Sequence, residues 1–269
     1  MLWLPMLAAL LAAGVGAGVL AGLFGVGGGI VMVPALDLVF EAAGVSSSIA
    51  MHLAVATSMA TIVPTAVSSA RSHARRGSIE MSVVQRWLVP MALGALAGAL
   101  LASRMQGDVL AAVFAAMALL AALKMLLPLD HIVLREAVPG GIAGGILPAV
   151  IGAVSAMMGI GGGTLSVPSM TFCGVPVHKA VGTAALLGLV ISVPAALGYL
   201  LAPAPALLTP PFTVGYVSLI GFAILAPATW LSAPLGAALA HRLDRRMLSA
   251  AFGAFLLVVA SRMIYRVFS

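Results

Sequence analysis

The stretch GVGGGIVMVP, residues 25–34, interrupts a long apolar run, and a close copy, GIGGGTLSVP, occupies residues 159–168. Each glycine costs a helix interior about 1 kcal/mol relative to alanine, so three in succession predict a break in the helix. In lipid, a broken helix is tolerated only where its backbone faces protein or a water-filled cavity. We call residues 25–29 the first glycine break and residues 159–163 the second. The amide groups that begin the helix after each break form a potential anion site.

The composition identifies the chain as a membrane protein. Of its 269 residues, 62% are hydrophobic and only 7% are charged, whereas an average soluble domain has about 25% charged residues. The apolar runs are continuous, which predicts an all-α, polytopic helical membrane protein. The net charge of +6 does not indicate a nucleic-acid partner, because the basic residues cluster in short segments between apolar runs, as the positive-inside rule describes.

The order of apolar segments predicts two repeats, residues 1–128 and 129–269, which together make one transmembrane domain. Pro64 and Pro194 occupy matching positions in the two halves, as do Arg104 and Arg242. The predicted long segments are Leu2–Leu23, Val45–Ala70, Trp87–Ser103, Val109–Leu127, Gly140–Met158, Val177–Ala202, Phe212–Ala240 and Met247–Phe268. Two shorter segments, Gly29–Ala43 and Thr164–Cys173, follow the breaks and are too short for a comfortable crossing, which needs about 20 residues.

The distribution of charge favours repeats of opposite orientation. The first half has its basic loop at Arg71–Arg86, whereas the corresponding loop Ala202–Pro211 carries no charge. The second half has its basic loop at His241–Arg246, which corresponds to the weakly charged Arg104–Asp108. An inverted duplication produces this exchange. It requires that the short segments after the breaks re-enter without crossing, and it places the C-terminus outside despite Arg262 and Arg266.

The glycine triplets and nearby hydroxyl groups are the candidate substrate site. Close helix packing is the alternative explanation for the glycines, and bonding to the carbonyl one turn back is the alternative for the hydroxyls. The scattered glycines Gly94, Gly98 and Gly236 are better explained by packing. The predicted substrate-binding residues are Gly27, Gly28, Gly29, Thr57, Ser58, Gly161, Gly162, Gly163, Thr164 and Thr183.

Three ionisable residues are candidates for handling protons or substrate, because such groups within a membrane are often functional. They are Asp37, His52 and His178, although a lone histidine is more often structural. Cys173 is expected to serve packing. The hydrolase motifs Gly-x-Ser-x-Gly and His-Glu-x-x-His are absent from the sequence, so we expect no enzyme, no cofactor and no metal.

The glycine segments resemble the TauE/SafE sulfite exporter family, also called TSUP. The resemblance lies in GLFGVGGGIVMVPAL and the sequence ATS at 56–58, and in GIGGGTLSVPSM and GVPVHKAVGTAA of the second half. It covers nearly the whole chain as two tandem copies. It implies a multi-pass protein of the cytoplasmic (inner) membrane that exports sulfite, sulfoacetate or a related sulfonate. Leu53 stands where the second copy has Thr183, so a symmetric two-threonine site is not expected.

The sequence therefore predicts a secondary transporter of a small sulfur-containing oxyanion. No ATP-binding motif is present, so transport should be coupled to a proton, to another ion or to the gradient of the anion itself. The alternatives are an anion channel and a non-transporting membrane scaffold subunit. Substrate identity, direction, coupling ion and oligomeric state remain open at this point.

Overall fold

The structure, a computed structural model, describes residues 3–24, 28–126, 141–205, 207–239 and 245–268. These residues form ten helices and one pair of very short strands, which confirms the all-α prediction. The helices are α1 Trp3–Phe24, α2 Gly29–Ala42, α3 Ser47–Ala74, α4 Met81–Ala102, α5 Gly107–Leu126, α6 Gly141–Met158, α7 Gly163–Phe172, α8 Val177–Leu201, α9 Leu219–Leu239 and α10 Arg245–Phe268.

Several helices are long and apolar enough to span a bilayer. Within the described residues, four meet this condition over Ser47–Ala74, Met81–Ala102, Val177–Leu201 and Leu219–Gly236. Shorter apolar helical stretches cover Leu7–Leu23, Gly107–Leu123 and Gly144–Met158. The protein is therefore a multi-pass membrane protein. Helix α3 is its central element, because 83% of its most apolar stretch is buried by other helices.

The basic segment Arg71–Arg86 is not one long loop. Helix α3 continues through Arg71 to Ala74, and α4 begins at Met81, so that only residues 75–80 connect the two helices. Arginine side chains are long enough to extend from a helix end to the aqueous boundary. Charge therefore marks the end of the apolar region here, but it does not mark the end of the helix.

The prediction of a single span over Phe212–Ala240 is wrong in its first part. Strand β1, Thr213–Val214, pairs antiparallel with strand β2, Val217–Ser218. Gly215 turns between them with a φ of +56°, a conformation that favours glycine. A hydrogen bond of 3.1 Å from the Tyr216 amide to the Tyr199 carbonyl holds the hairpin against α8. These long-range contacts override an apolar sequence that could continue a helix.

Helices of the first half pack mainly against helices of the second half. Helix α1 packs along α9, α4 packs along α6, α5 packs along α10, and α3 and α8 lie together in the centre. Glycines allow close approach: a Cβ on Gly94 would lie 2.0 Å from the Ala149 carbonyl oxygen, and one on Gly236 would lie 1.9 Å from the Val19 carbonyl oxygen. Small residues commonly bring membrane helices together in this way.

Helices α3 and α8 run antiparallel. Lys179, near the start of α8, contacts Glu80 in the loop after α3 at 2.8 Å. Tyr216, shortly after the end of α8, stacks on His52 near the start of α3, with ring centroids 5.2 Å apart. We call the end that carries residues 75–80 the basic end and the end that carries the β-hairpin the opposite end.

The two short helices extend from the middle of the molecule to its ends. Helix α2 has 14 residues and α7 has 10, so at about 1.5 Å per residue both are shorter than the roughly 30 Å apolar core of a bilayer. Helix α2 leads into the start of α3 at the opposite end, whereas α7 leads into the start of α8 at the basic end. Neither helix crosses the full thickness of the molecule.

Candidate functional site

A glycine in a left-handed conformation immediately precedes the helix that follows each glycine break. Gly28 precedes α2 with a φ of 72°, and Gly162 precedes α7 with a φ of 76°. Residues other than glycine pay about 1–2 kcal/mol for this conformation. The first glycine of the first triplet, Gly27, lies outside the described residues. The glycine that precedes the helix therefore has the same left-handed conformation in both halves.

The two breaks contact each other in the middle of the molecule. A Cβ placed on Gly29 would lie 2.1 Å from the Gly159 carbonyl oxygen and 2.9 Å from the Ile160 Cα. The contact is therefore backbone against backbone, and it exists only because position 29 has no side chain. The same region adjoins α3, since a Cβ on Gly159 would lie 3.0 Å from the Val55 Cα.

Side chains from α3 and α8 satisfy carbonyl groups at the end of α6. The Ser58 hydroxyl donates to the Gly159 carbonyl at 2.7 Å, and the Tyr199 hydroxyl donates to the Ala156 carbonyl at 3.1 Å. The last carbonyls of a helix have no partner within that helix, so these bonds stabilise the break. Ser58 was expected near the glycines and lies there, whereas Tyr199 was not anticipated from the sequence.

The start of α7 presents polar groups to the same region. Gly163 is its first residue, and because the Leu165 and Ser166 amides donate to the Gly162 carbonyl at 3.1 and 2.7 Å, the amides of Gly163 and Thr164 are those left without a partner within the helix. The Ser166 side chain is fully buried, and its hydroxyl has no hydrogen-bond partner within the described residues. Its oxygen lies 3.5 Å from the position that a Cβ on Gly162 would take. The positive end of the helix dipole and a hydroxyl group therefore lie together at the second break.

A small cavity adjoins the second break. It is lined by Gly161, by Gly188 of α8, by Thr65 and Ser69 of α3, and by Ala21 of α1 among others. Its volume, about 10 Å³, admits one water molecule at most. The Ser69 hydroxyl is buried and has no hydrogen-bond partner in the described part of the chain. This cavity, among the described residues, has no room for an oxyanion.

A row of hydroxyl groups follows one face of α3. Thr57, Thr61, Thr65 and Ser69 are spaced four residues apart and are all buried. Thr61 and Thr65 donate to the carbonyls one turn back at 2.8 and 2.9 Å, and the Thr65 oxygen is also 2.7 Å from the hydroxyl of Thr229 on α9. The sequence analysis did not identify Thr61, Thr65 or Ser69, although their spacing of four is visible in the sequence.

Two of the predicted hydroxyl donors, Thr57 and Thr183, form their hydrogen bonds with residues outside the glycine breaks. The Thr57 oxygen accepts from the Ser218 amide of β2 at 2.9 Å. The Thr183 oxygen accepts from the Glu80 amide at 2.8 Å and donates to the Lys179 carbonyl at 2.7 Å. Both threonines therefore hold the start of a neighbouring segment against the central helices. The structure does not bring Thr183 to the glycine breaks.

Of two further candidates, Thr164 lies beside the second break and His178 lies away from both breaks. Thr164 lines a largely apolar side cavity of about 160 Å³ with Met117 and Leu165. His178 is exposed near the start of α8 at the basic end. Cys173 is a buried free thiol at the end of α7. The structure therefore separates His178 from the centre, whereas Thr164 directly follows Gly163, and its buried hydroxyl oxygen has no hydrogen-bond partner within the described residues.

Asp37 lies in a group of four charged side chains between α2 and α10, in which Asp37 and Arg266 are more buried than Glu41 and Arg262. Its side chain is fully buried and forms an ion pair with Arg266. Arg266 also contacts Glu41 at 3.3 Å, and Arg262 contacts the other Glu41 oxygen at 3.3 Å. We call Asp37, Glu41, Arg262 and Arg266 the ion cluster. Its two acids balance the two arginines, which explains how α10 can carry arginines at the opposite end.

His52 lies at the opposite end, under the β-hairpin. Its ring nitrogens are 3.1 Å from the Ser48 carbonyl and 3.1 Å from the Met105 carbonyl. Together with Tyr216 and Asp108, His52 lines an open pocket of about 340 Å³. The contacts connect α3 to the turn between α4 and α5. His52 is therefore a buried, bonded residue at the edge of a polar pocket, away from the glycine breaks.

Among the described residues, no group of three or more histidine, cysteine or acidic side chains is arranged to hold a metal ion. The polar chemistry of the interior is instead that of backbone amides, hydroxyl groups and the ion cluster.

Comparisons with known proteins agree with this architecture. Residues 10–263 match the family model described as sulfite exporter TauE/SafE. A protein from Haemophilus influenzae, described as a probable membrane transporter protein, is 32% identical over 253 residues, which cover 93% of this chain and 95% of the relative. No solved structure matches significantly. With a multi-pass helical fold and a family match over nearly its whole length, the chain belongs to the TauE/SafE sulfite exporter family of membrane transporters.

Proposed function

We propose that the protein is a secondary transporter that exports a small sulfur-containing oxyanion, such as sulfite or a sulfonate, from the cytoplasm. The observation that carries this proposal is the contact between the two glycine breaks, where Gly29 lies directly on Gly159 and Ile160. Two half-helices, α2 and α7, begin within this region, and the positive ends of helix dipoles are suited to an anion. Repeat-built transporters commonly bind substrate where discontinuous helices meet at the membrane midplane.

The anion would be held by backbone amides and hydroxyl groups rather than by a buried arginine. The amides at the starts of α2 and α7 supply the dipole, and Ser69 and Ser166 supply hydroxyls without other partners in the described residues. Neutral donors bind an anion without the strong attraction of a guanidinium group, which favours release. The small cavity at Gly161 means that helices must separate before the anion enters, as alternating access requires.

We further propose that residues 1–128 and 129–269 are inverted repeats in the cytoplasmic (inner) membrane, with the basic end facing the cytoplasm. The antiparallel arrangement of α3 and α8 and the incomplete crossings of α2 and α7 support this arrangement. The ion cluster supports it as well, because Asp37 and Glu41 neutralise the arginines that would otherwise favour a cytoplasmic C-terminus. Reporter fusions at residues 78 and 207 test the proposal, and reporters on the same side of the membrane would contradict it.

Coupling to protons is the favoured energy source in this proposal. Asp37 is the leading candidate group, because it is a buried carboxylate on the half-helix that begins at the first break. His52 is the second candidate, at the polar pocket of the opposite end. In proteoliposomes, Asp37→Asn should remove the stimulation of transport by a pH gradient. The rate at which labelled and unlabelled anion exchange across the membrane should stay unchanged.

Flux of labelled sulfite and sulfonates into proteoliposomes tests the transport function directly. We expect Gly28→Val and Gly162→Val to abolish flux. The backbone at both positions is left-handed, and β-branched residues such as valine avoid this conformation. Gly145→Val on α6 is the matched control, since no atom lies within 4 Å of a Cβ at that position. Unchanged flux in folded Gly28→Val and Gly162→Val protein would contradict the glycine site, and flux that follows voltage alone without saturation would favour an anion channel.

A further inference from the structure

A polar basin opens at the basic end between α3 and α9. Its volume is about 390 Å³. Helix α3 contributes Ser68, Arg71 and Ser72, the residues just after its end contribute Arg75 and Arg76, and α9 contributes Trp230 and Pro234. We call this space the arginine basin. No acidic side chain of the described residues lines it.

The spacing of the polar residues places them on adjoining turns of one helix face. Arg71 and Arg75 are four residues apart, as are Ser68 and Ser72, and residues at this spacing are neighbours on a helix surface. The Ser68 hydroxyl lies 3.5 Å from the Trp230 carbonyl oxygen, which marks the line where α3 and α9 meet. Guanidinium groups and hydroxyls side by side form a donor set for an oxyanion, because arginine presents several N–H groups in one plane.

The arginine basin is continuous with the polar face that leads to the glycine breaks. One turn closer to the centre, Thr65 contacts Thr229 of α9 with their hydroxyl oxygens 2.7 Å apart. Thr65 and Ser69 also line the small cavity beside Gly161. A polar line along α3 therefore connects the closed central cavity with the basin, whereas most of the surrounding helix surface is apolar.

The positive-inside rule accounts for arginines at this end of the molecule, but it does not account for their grouping around one basin. Arg86 provides the comparison. It lies near the start of α4 at the same end, is exposed, and does not line the basin. Topology alone requires positive charge at this end and is satisfied equally by Arg86.

We propose that the arginine basin is an oxyanion-binding site, specific for a sulfonate-, sulfite- or phosphate-type group, from which the substrate anion passes along Thr65 and Ser69 to the centre. The role in transport rests on the proposed function, whereas the binding of the oxyanion does not. The same chemistry could be met by the headgroup of an anionic lipid, and the experiment below distinguishes a free anion from a lipid.

Trp230 provides a built-in probe of binding. The sequence contains three tryptophans, so replacing Trp3 and Trp87 by phenylalanine leaves Trp230 as the single reporter. The full chain in nanodiscs of phosphatidylcholine is titrated with sulfate and with methanesulfonate at constant low ionic strength, with chloride as the reference anion. We expect a saturable fluorescence change with the two oxyanions that chloride does not reproduce.

The binding test uses two variants that remove charge from the same end. Arg71→Gln with Arg75→Gln should weaken oxyanion binding by about tenfold or more, since the pair removes two guanidinium groups that donate charge-assisted hydrogen bonds to the anion. Arg86→Gln should change the affinity by less than about twofold, because it removes only a screened charge. Absence of a saturable response in the starting protein, or equal weakening by Arg86→Gln, would overturn the proposal.

Nanodiscs with phosphatidylglycerol identify the natural occupant. If sulfate binds equally well with and without this lipid, the basin takes the free anion. If the lipid alone produces the Trp230 response and sulfate no longer adds to it, the occupant is a lipid headgroup, and the passage of substrate through the basin is refuted.

Flux measured from the basic side tests the role in transport. The Arg71→Gln, Arg75→Gln pair should raise the KM for sulfite by about tenfold and leave kcat within about twofold, because the basin acts before the central site. An equal fall in kcat with KM unchanged would contradict this role. If the starting protein shows no flux, the proposed function fails, while the fluorescence titration still decides whether the basin binds oxyanions.

Discussion

Replacing Gly29 by alanine perturbs the contact on which the proposed transport site depends. The new Cβ would lie 2.1 Å from the Gly159 carbonyl oxygen, more than 1 Å closer than the 3.4 Å of ordinary van der Waals contact. The obstructing atom belongs to the backbone and cannot rotate away, so the two glycine breaks must separate. Inserting a methylene or methyl group into a well-packed region typically costs about 1–3 kcal/mol.

The same energy gives the expected effect on transport. If flux requires the breaks in contact, a cost of about 1–3 kcal/mol corresponds to a loss of roughly 5- to 150-fold, at about 1.4 kcal/mol for each factor of ten. The assay is the initial rate of labelled sulfite entry into proteoliposomes, normalised to folded protein by size-exclusion chromatography. Thermal unfolding in detergent measures separately how much Gly29→Ala lowers the stability of the folded protein.

Gly145→Ala is the matched control for this prediction. Its Cβ would meet no atom within 4 Å, and alanine is favoured over glycine in a helix by about 0.5–1 kcal/mol, so stability should stay equal or rise with flux unchanged. A Gly29→Ala protein that transports at the starting rate would refute the reasoning. So would equal losses of flux in the two variants.

Three further predictions concern contacts between the halves of the chain. In a double-mutant cycle with Thr65→Val and Thr229→Val, thermal unfolding should report a coupling of about 0.6 kcal/mol, the average for hydrogen bonds between membrane helices, and no more than about 1.7 kcal/mol; additive effects would contradict the contact. Arg266→Gln should destabilise by about 3–5 kcal/mol because Asp37 loses its ion-pair partner in a buried position, and adding Asp37→Asn should recover part of that loss; a double variant less stable than the single one would contradict this account. Hydrogen bonds from a lysine and a serine lower the pKa of Glu80 in the loop before α4, so its contribution to stability should be present above the pKa of the unfolded state and disappear as the pH falls through the lower folded-state pKa. Unfolding measured from pH 7 to pH 3 should therefore show Glu80→Gln converging with the starting protein in acid, and a constant difference would contradict it.

The apolar runs predicted most of the helices, because hydrophobicity alone sets where a chain can enter lipid. The run at Phe212–Ala240 failed because apolar content does not distinguish a buried hairpin from the first turns of a helix. The hairpin exists through bonds to α3 and α8, such as the Ser218 amide to Thr57. Contacts that join segments more than 150 residues apart leave no local signal in either segment.

The candidate site was predictable to a similar extent. The glycine triplets predicted the breaks, and the structure brings Gly29 of the first against Gly159 of the second. The sequence could not show which neighbours each hydroxyl group contacts, because the side that a threonine faces depends on the rotation of its helix about its own axis. Thr183 lies near the start of α8 and contacts Glu80 at the basic end, while the unanticipated Thr65 and Ser69 face the cavity.

The ion cluster has a consequence for how the protein is made. Glu41 and Arg262 are 221 residues apart, so the ribosome completes nearly the whole transporter before the carboxylates of α2 receive their guanidinium partners. A nascent or truncated chain that lacks α10 therefore leaves the Asp37 and Glu41 carboxylates without their guanidinium partners. The charge of α2 is neutralised only when the last helix, the final one to be synthesised, has docked against it.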